Sequence, residues 1–309
     1  MARSREFDAF GPWVDEVQEP EDVPRLFRRH LPDPRAEHLV LKVPRRIDRR
    51  DATPDMDLYD HLVIAGAVDL TVLTRTSDGF RTTTVPYDRV TAVRSSVDLL
   101  DGRFELHEVR GTPASGAGLA FGFSGVSREV VERLVQVIRE QVRHAAGLPS
   151  PAREHHTSAR LLGRDDLGPQ DVDLVTEQRD LAAAYWDVAP LGSHRRTAVT
   201  RRGGTLAGAA DWMRPVTLHA CVVGGGPGEL HLLHRRRWFT TGRKPVRSIS
   251  HTVVLTPRVD AVSVAPSERY EGVEVARVSS GRSHVDVPFP AGAGTGEAVR
   301  SGVAGLAAH

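Results

Sequence analysis

Arginine and aromatic residues crowd one stretch late in the chain. Between Leu230 and Val259 stand Arg235, Arg236, Arg237, Arg243, Lys244, Arg247 and Arg258, with no Asp or Glu among them. Trp238 and Phe239 lie inside the run. Guanidinium forks bind phosphate and carboxylate oxygens in pairs, and an indole stacks or wedges against a flat partner. That chemistry suits an anionic lipid head group, a nucleic acid or an acidic protein segment. The competing expectation is a solvated basic loop, or one paired with an acidic arm that carries Asp15, Glu16, Glu19, Glu21 and Asp22. The same arm offers Trp13 as an aromatic anchor for a docking partner.

Other constellations point to structure before chemistry. Asp48, Asp51, Asp55, Asp57 and Asp60 precede His61, and hard cations favour converging carboxylates. The spacing fits no calcium loop, and Arg45, Arg46, Arg49 and Arg50 interleave, so a salt-bridged surface loop is expected. Gly224-Gly-Gly-Pro-Gly228 lacks a following Lys-Ser/Thr and helix, so it reads as a hairpin turn and not a phosphate cradle. His155-His156 has only Glu154 beside it, short of a zinc set. His219, His231 and His234 alternate along an expected hairpin, as surface histidines do. Cys221 stands alone among apolar residues, a buried and inert thiol with no internal disulfide possible. No nucleophile elbow and no Ser-His-Asp or Cys-His spacing is present, so no catalytic residue, metal or cofactor is nominated.

The elements that would position the basic run come from a repeat. Arg89-Val90-Thr91-Ala92-Val93 returns as Arg258-Val259-Asp260-Ala261-Val262. The match continues: Phe104, Leu106 and Val109 correspond to Val273, Val275 and Val278, and Leu119-Ala-Phe121-Gly-Phe123 to Val285-Asp-Val287-Pro-Phe289. Alternation of this kind marks strands with one buried face. A helix start follows each, Ser127-Arg-Glu129 and Thr295-Gly-Glu297, with a capping hydroxyl and an acid for the first turn. Two long copies imply a duplicated domain and not a solenoid.

Four regions follow. Residues 1–38 form the acidic arm, with a short helix expected over Glu21–His30. Residues 39–147 hold about seven strands and a helix from Arg128 to about His144, striped by Val130, Val131, Leu134, Val135, Ile138 and Val142. Residues 148–203 are a linker with one helix over Asp171–Trp186 that buttresses both domains. Residues 204–309 are the second copy, whose closing helix is weakened by Gly296, Gly302 and Gly305.

Composition narrows the class. The apolar fraction of 40% and charged fraction of 26% are ordinary for a globular chain, which excludes a disordered or membrane-embedded one. A net charge of +1 steers the whole chain to neither nucleic acid nor membrane. No signal-peptide core and no apolar run long enough to span a bilayer is present, so the expected location is cytoplasmic.

Seven strands closed by an amphipathic helix resemble the pleckstrin-homology (PH) superfold. Leu70-Thr-Val-Leu-Thr followed by Val85-Pro-Tyr-Asp-Arg-Val-Thr-Ala-Val93 is similar to bacterial PH-like domains; the second copy, Val254-Leu-Thr-Pro257-Arg258, lacks the tyrosine. The resemblance implies a mainly β, α+β fold of two barrels or sandwiches, each closed by a C-terminal helix. It implies no catalytic residues, and the fold alone does not choose among lipid, peptide and scaffold roles. The expected function is a non-enzymatic scaffold that docks a protein partner, with Trp13, Arg235, Arg236, Arg237, Trp238, Arg243, Lys244 and Arg247 as the contact residues. Two alternatives stand beside it. One is a peripheral binder of anionic lipid or nucleic acid through the Arg235–Arg247 hairpin. The other is an enzyme with a site between the domains, which deep burial of Asp or Glu in a shared cleft would favour.

Overall fold

A computed structural model describes residues 5–31, 33–109, 118–148, 161–185, 187–203, 214–242 and 246–304. The chain is mainly β, of α+β class. After a short helix α1 (Arg5–Ala9) and strand β1 (Asp15–Glu16) comes a meander: β2 (Leu39–Pro44), β3 (Tyr59–Ala65), β4 (Asp69–Thr76) and β5 (Gly79–Pro86). A 3-10 turn at Tyr87–Arg89 redirects the chain into β6 (Val90–Asp98), β7 (Asp101–Glu108) and β8 (Leu119–Ser124). Helix α2 (Arg128–Ala145) closes this half. Its predicted stripe buries Val131, Leu134, Val135, Ile138 and Val142. The short α3 (Arg164–Leu167) and then α4 (Val172–Ala184) lead to β9 (Ala189–His194) and β10 (Thr197–Val199). The rest comprises β11 (Val216–Leu218), β12 (Cys221–Gly226), β13 (Glu229–His234), β14 (Phe239–Thr241), β15 (Ile249–Leu255), a 3-10 turn at Thr256–Arg258, β16 (Ala261–Pro266), β17 (Val273–Ser280), β18 (Ser283–Pro290) and helix α5 (Thr295–Ala304).

The element order recurs. β2-β3-β4-β5, a 3-10 turn, β6-β7-β8 and a helix are followed, once α3, α4 and the separate small sheet of β10, β11 and β14 are set aside, by β9-β12-β13-β15, a 3-10 turn, β16-β17-β18 and a helix. The two copies of the Arg-Val-x-Ala-Val sequence sit at the same place in each half, across the turn and into the next strand.

The expected closed barrels do not form. β6 pairs on one edge with β7 and on the other with β15 of the second half, from Val97 opposite Ile249 to Ala92 opposite Val254. The result is one seven-stranded sheet, β8-β7-β6-β15-β13-β12-β9, that runs through both halves. β5 stays at the edge of its own five-stranded sheet, β1 to β5. Pairing β6 with β15 satisfies a row of backbone donors and acceptors that a free edge would leave open.

Helices and sheets cover the two faces of the long sheet. On one face, α2 lies over Val93, Phe104, Leu106 and Val253, and α4 brings Leu174 and Val175 onto Val222 and Leu233. On the other face, β16–β18 and α5 pack Val278, Val287, Phe289 and Val299 against Ala92, Val223, Leu232 and Val254. The glycines of α5 have a reason the sequence conceals. A Cβ on Gly296 would stand 2.6 Å from the Phe289 ring, and one on Gly302 would stand 2.5 Å from Leu230. They let the helix lie close to its sheet.

Two local expectations are corrected. The arm forms a 3-10 turn at Pro20–Asp22 and further turns instead of a helix over Glu21–His30, because Pro20 and Pro24 interrupt the helical ladder. Its Phe10, Val17, Val23, Phe27 and Leu31 cover the outer face of the five-stranded sheet against Leu62, Ile64 and Leu73. The expected linker contributes two strands, β9 and β10, with β9 at the edge of the long sheet on β12. Among the described residues no helix is long and apolar enough to cross a membrane.

Candidate functional site

Most of the basic run is committed inside the protein. Arg235 is 0% exposed. It donates to Asp171 Oδ1 (2.6 Å), to Asp173 Oδ1 (2.7 Å) and Oδ2 (2.5 Å), and to the carbonyls of Gln170 and Ser248. Arg196 holds the same Asp171 from the other side. Burial alone would raise the Asp171 carboxyl, but hydrogen bonds from Arg196 and Arg235 outweigh it and lower the pKa. Arg236 reaches into the first half, to Ser96 and to Asp101 Oδ2 at 2.5 Å. Trp238 stacks on His234 with ring centroids 3.9 Å apart. Arg237 and Arg247 are exposed, while Arg243 and Lys244 lie outside the described residues. The expectation of a ligand-facing hairpin is therefore corrected at Arg235 and Arg236, whose donors are spent on Asp171, Asp173, Asp101 and Ser96. None of these partners belongs to the arm. The arm acids pair elsewhere, Glu16 with Arg133, Glu19 with Arg35 and Asp22 with Arg5.

The other candidates settle in place. The Asp48–Asp60 loop is salt-bridged, as expected, with Asp48 on Arg50, Asp57 on Arg25 and Asp60 on Arg75. Gly224–Gly226 end β12 and turn directly into β13. Cys221 is buried, and burial pushes its thiol pKa up. His155 and His156 lie outside the described residues, among which no group of three metal-ligating side chains occurs.

A cleft of about 180 Å³ opens between α2 and α4 over the junction of the halves. Its floor holds Ser95 of β6 and His251 of β15, opposite one another in register. Behind them runs a hydrogen-bonded chain. Arg139 of α2 clasps the fully buried Glu229 and lies over the Tyr185 ring, 3.8 Å from its centroid. Glu229 Oε2 meets His231 Nε2 at 3.2 Å, and His231 Nδ1 meets His251 Nε2 at 3.0 Å. Burial opposes ionisation of Glu229, but the His231 hydrogen bond and the Arg139 charge lower its pKa to about 2. An ionised Glu229 only accepts, so His231 carries its proton on Nε2 and accepts at Nδ1. His251 then donates from Nε2 and keeps a lone pair on Nδ1, which has no partner among the described residues. Burial first, then the neighbouring His231 and Arg139, hold the His251 pKa well below the usual imidazole value. The sequence reading passed over this chain. The expected surface histidines His219, His231 and His234 are all buried, because β13 is covered on both faces and its Glu-Leu-His-Leu alternation marks no exposed side.

An exposed apolar turn lies on the first half. Leu99 and Leu100, between β6 and β7, are 72% and 71% exposed, and Val126 beside them is 68% exposed. Gly125 N donates to Leu100 O, which fixes Val126 next to the leucines. From the arm, Val14 N donates to Ser127 Oγ at 2.7 Å, and the half-exposed Trp13 is the residue before Val14. Leu99 has φ of 56°, the one non-glycine residue in the left-handed region among those described. That conformation costs a leucine roughly 1–2 kcal/mol.

Comparison with known proteins adds no identity: no family model, no curated protein and no solved structure matches the chain.

Proposed function

We propose that the chain is a non-enzymatic docking scaffold built from two PH-like units, and that it holds a protein partner through Trp13, Leu99, Leu100 and Val126. The recurring element order, each half ending in a helix, supports the tandem reading. The observation that carries the docking reading is the strained, exposed leucine pair. A turn between polar strand ends has no folding reason to place two leucines in water, one of them at positive φ. Strain of this kind persists where function uses it. Exposed apolar anchors and an aromatic, with the polar Asp98, Asp101 and Glu129 close by in sequence, are what the centre and rim of an interface require. The partner surface would be apolar at its centre, as one face of an amphipathic helix is. Glu229 and Asp171 are fully buried, the feature expected of an enzyme at the junction, but each carboxylate is clasped by an arginine and so offers no free acid or base, which is why the docking reading is preferred.

Replacing Leu99 with Asn tests this. Asn tolerates the left-handed region, so Leu99→Asn is expected to raise stability by about 0.5–1 kcal/mol in urea unfolding while weakening partner retention at least tenfold. A variant that melts higher and retains its partner as wild type does would exclude the turn as the docking surface.

A further inference from the structure

The cleft between α2 and α4 is built for a ligand of different chemistry. Ser95 is 7% exposed, and its hydroxyl has no hydrogen-bond partner among the described residues. Opposite it in register stands His251, whose Nδ1 lone pair is fixed as an acceptor by the chain from Glu229 through His231. Ser95 lines the cleft, and its hydroxyl is free to bond what enters it. The rim is acidic. Glu132 of α2 and Glu177 and Asp180 of α4 line it with one cation, Arg128, which bonds both glutamates. Asp180 is exposed and has no ion-pair partner among the described residues. Val97, Val135 and Leu181 supply apolar wall between rim and floor.

We propose that this cleft binds a small organic cation, a primary ammonium or guanidinium compound, that places its charge against Asp180 and Glu132 and donates an N–H to His251 Nδ1 and Ser95 Oγ. The volume of about 180 Å³ lies below the range of drug-sized sites, which limits the occupant to a short chain. Burial is the first cause that keeps His251 neutral, and the charges of Arg139 and Arg128 that also reach it are paired with Glu229 and with Glu132 and Glu177. Nucleophilic chemistry at Ser95 is not favoured, although a histidine stands beside it. Ser95 lies within β6 and is paired on both sides, to His251 and to Phe104, so the adjacent backbone amides serve the sheet and offer no oxyanion hole.

The test uses the full chain at pH 7.5 with agmatine and n-butylamine as probes, and n-butanol and butyrate as uncharged and anionic controls. Calorimetric titration is expected to show binding of both cations and neither control, with amide shifts centred on Ser95 and His251. Asp180→Asn, an exposed change that leaves folding intact, is expected to weaken agmatine about fivefold, and Ser95→Ala to weaken it severalfold. Equal affinity for n-butanol, no binding of either amine, or wild-type affinity in Asp180→Asn would each overturn the proposal.

Discussion

Replacing Arg235 with methionine is expected to destabilise the protein by about 3–5 kcal/mol, the cost of removing one partner from a buried ion pair. The side chain is fully enclosed, and so is Asp171, which would keep only Arg196. The cluster also joins α4 to the entry of β15 at Ser248, so its loss loosens the helix that walls the cleft. Arg237→Met, two residues away and exposed, is expected to change stability by no more than about 0.5 kcal/mol. Urea unfolding of the two variants separates a structural arginine from a surface one. If Arg235→Met unfolds at the wild-type midpoint, the guanidinium is not held as described, and a ligand-facing role for the hairpin returns.

Acid is expected to destabilise the protein from about pH 6.5 downwards, before its carboxylates protonate. Burial is the leading cause that lowers His194 to about 4, His219 to about 4 and His234 to about 3. The positive charges of Arg196 and Arg235 push further on His219, and Arg94 on His234. His231 and His251 are lowered as well. In the unfolded chain each binds a proton near pH 6.5, so the unfolded state holds more protons below that pH, and stability falls as pH falls. At pH 4.5 each of the first three has cost roughly 2–3 kcal/mol, about 8 kcal/mol together, against a typical total of about 5–15 kcal/mol. The depressed Glu229 adds its loss only lower, between the usual glutamate range and about 2. The melting temperature measured from pH 8 to 4 at constant ionic strength is expected to be level above pH 7 and to drop steeply below 6.5. A level curve down to pH 4.5 would mean that these imidazoles titrate normally within the fold.

Local order was legible in the sequence and long-range pairing was not. About seven strands were read in the first half, where β2 to β8 stand, some from alternation and others, such as Leu39-Val-Leu-Lys-Val43, from an apolar run, and the apolar stripe located α2 to within a residue at its end. β9 was hidden because Ala189-Pro-Leu-Gly-Ser-His194 has neither alternation nor β-branched residues; pairing with β12 imposes its extended form. The junction of β6 with β15 leaves no local mark, since both strands would be equally content in separate sheets. Arg235 was read as a surface cation because its acids, Asp171 and Asp173, lie in a segment that reads only as a helix start. One usable signal was present: Leu99-Leu100 between Asp98 and Asp101 is an apolar pair at a turn, where polar residues are the rule.

The docking reading meets its most direct test in site-specific photo-crosslinking. A benzophenone amino acid placed at Leu100, and as a control at the equally exposed Val68, would be irradiated in source cells and the adducts identified by mass spectrometry. The account predicts one defined protein adduct at position 100, absent at position 68 and lost when Trp13→Ala is added. No adduct at position 100, or the same adducts at both positions, would contradict it.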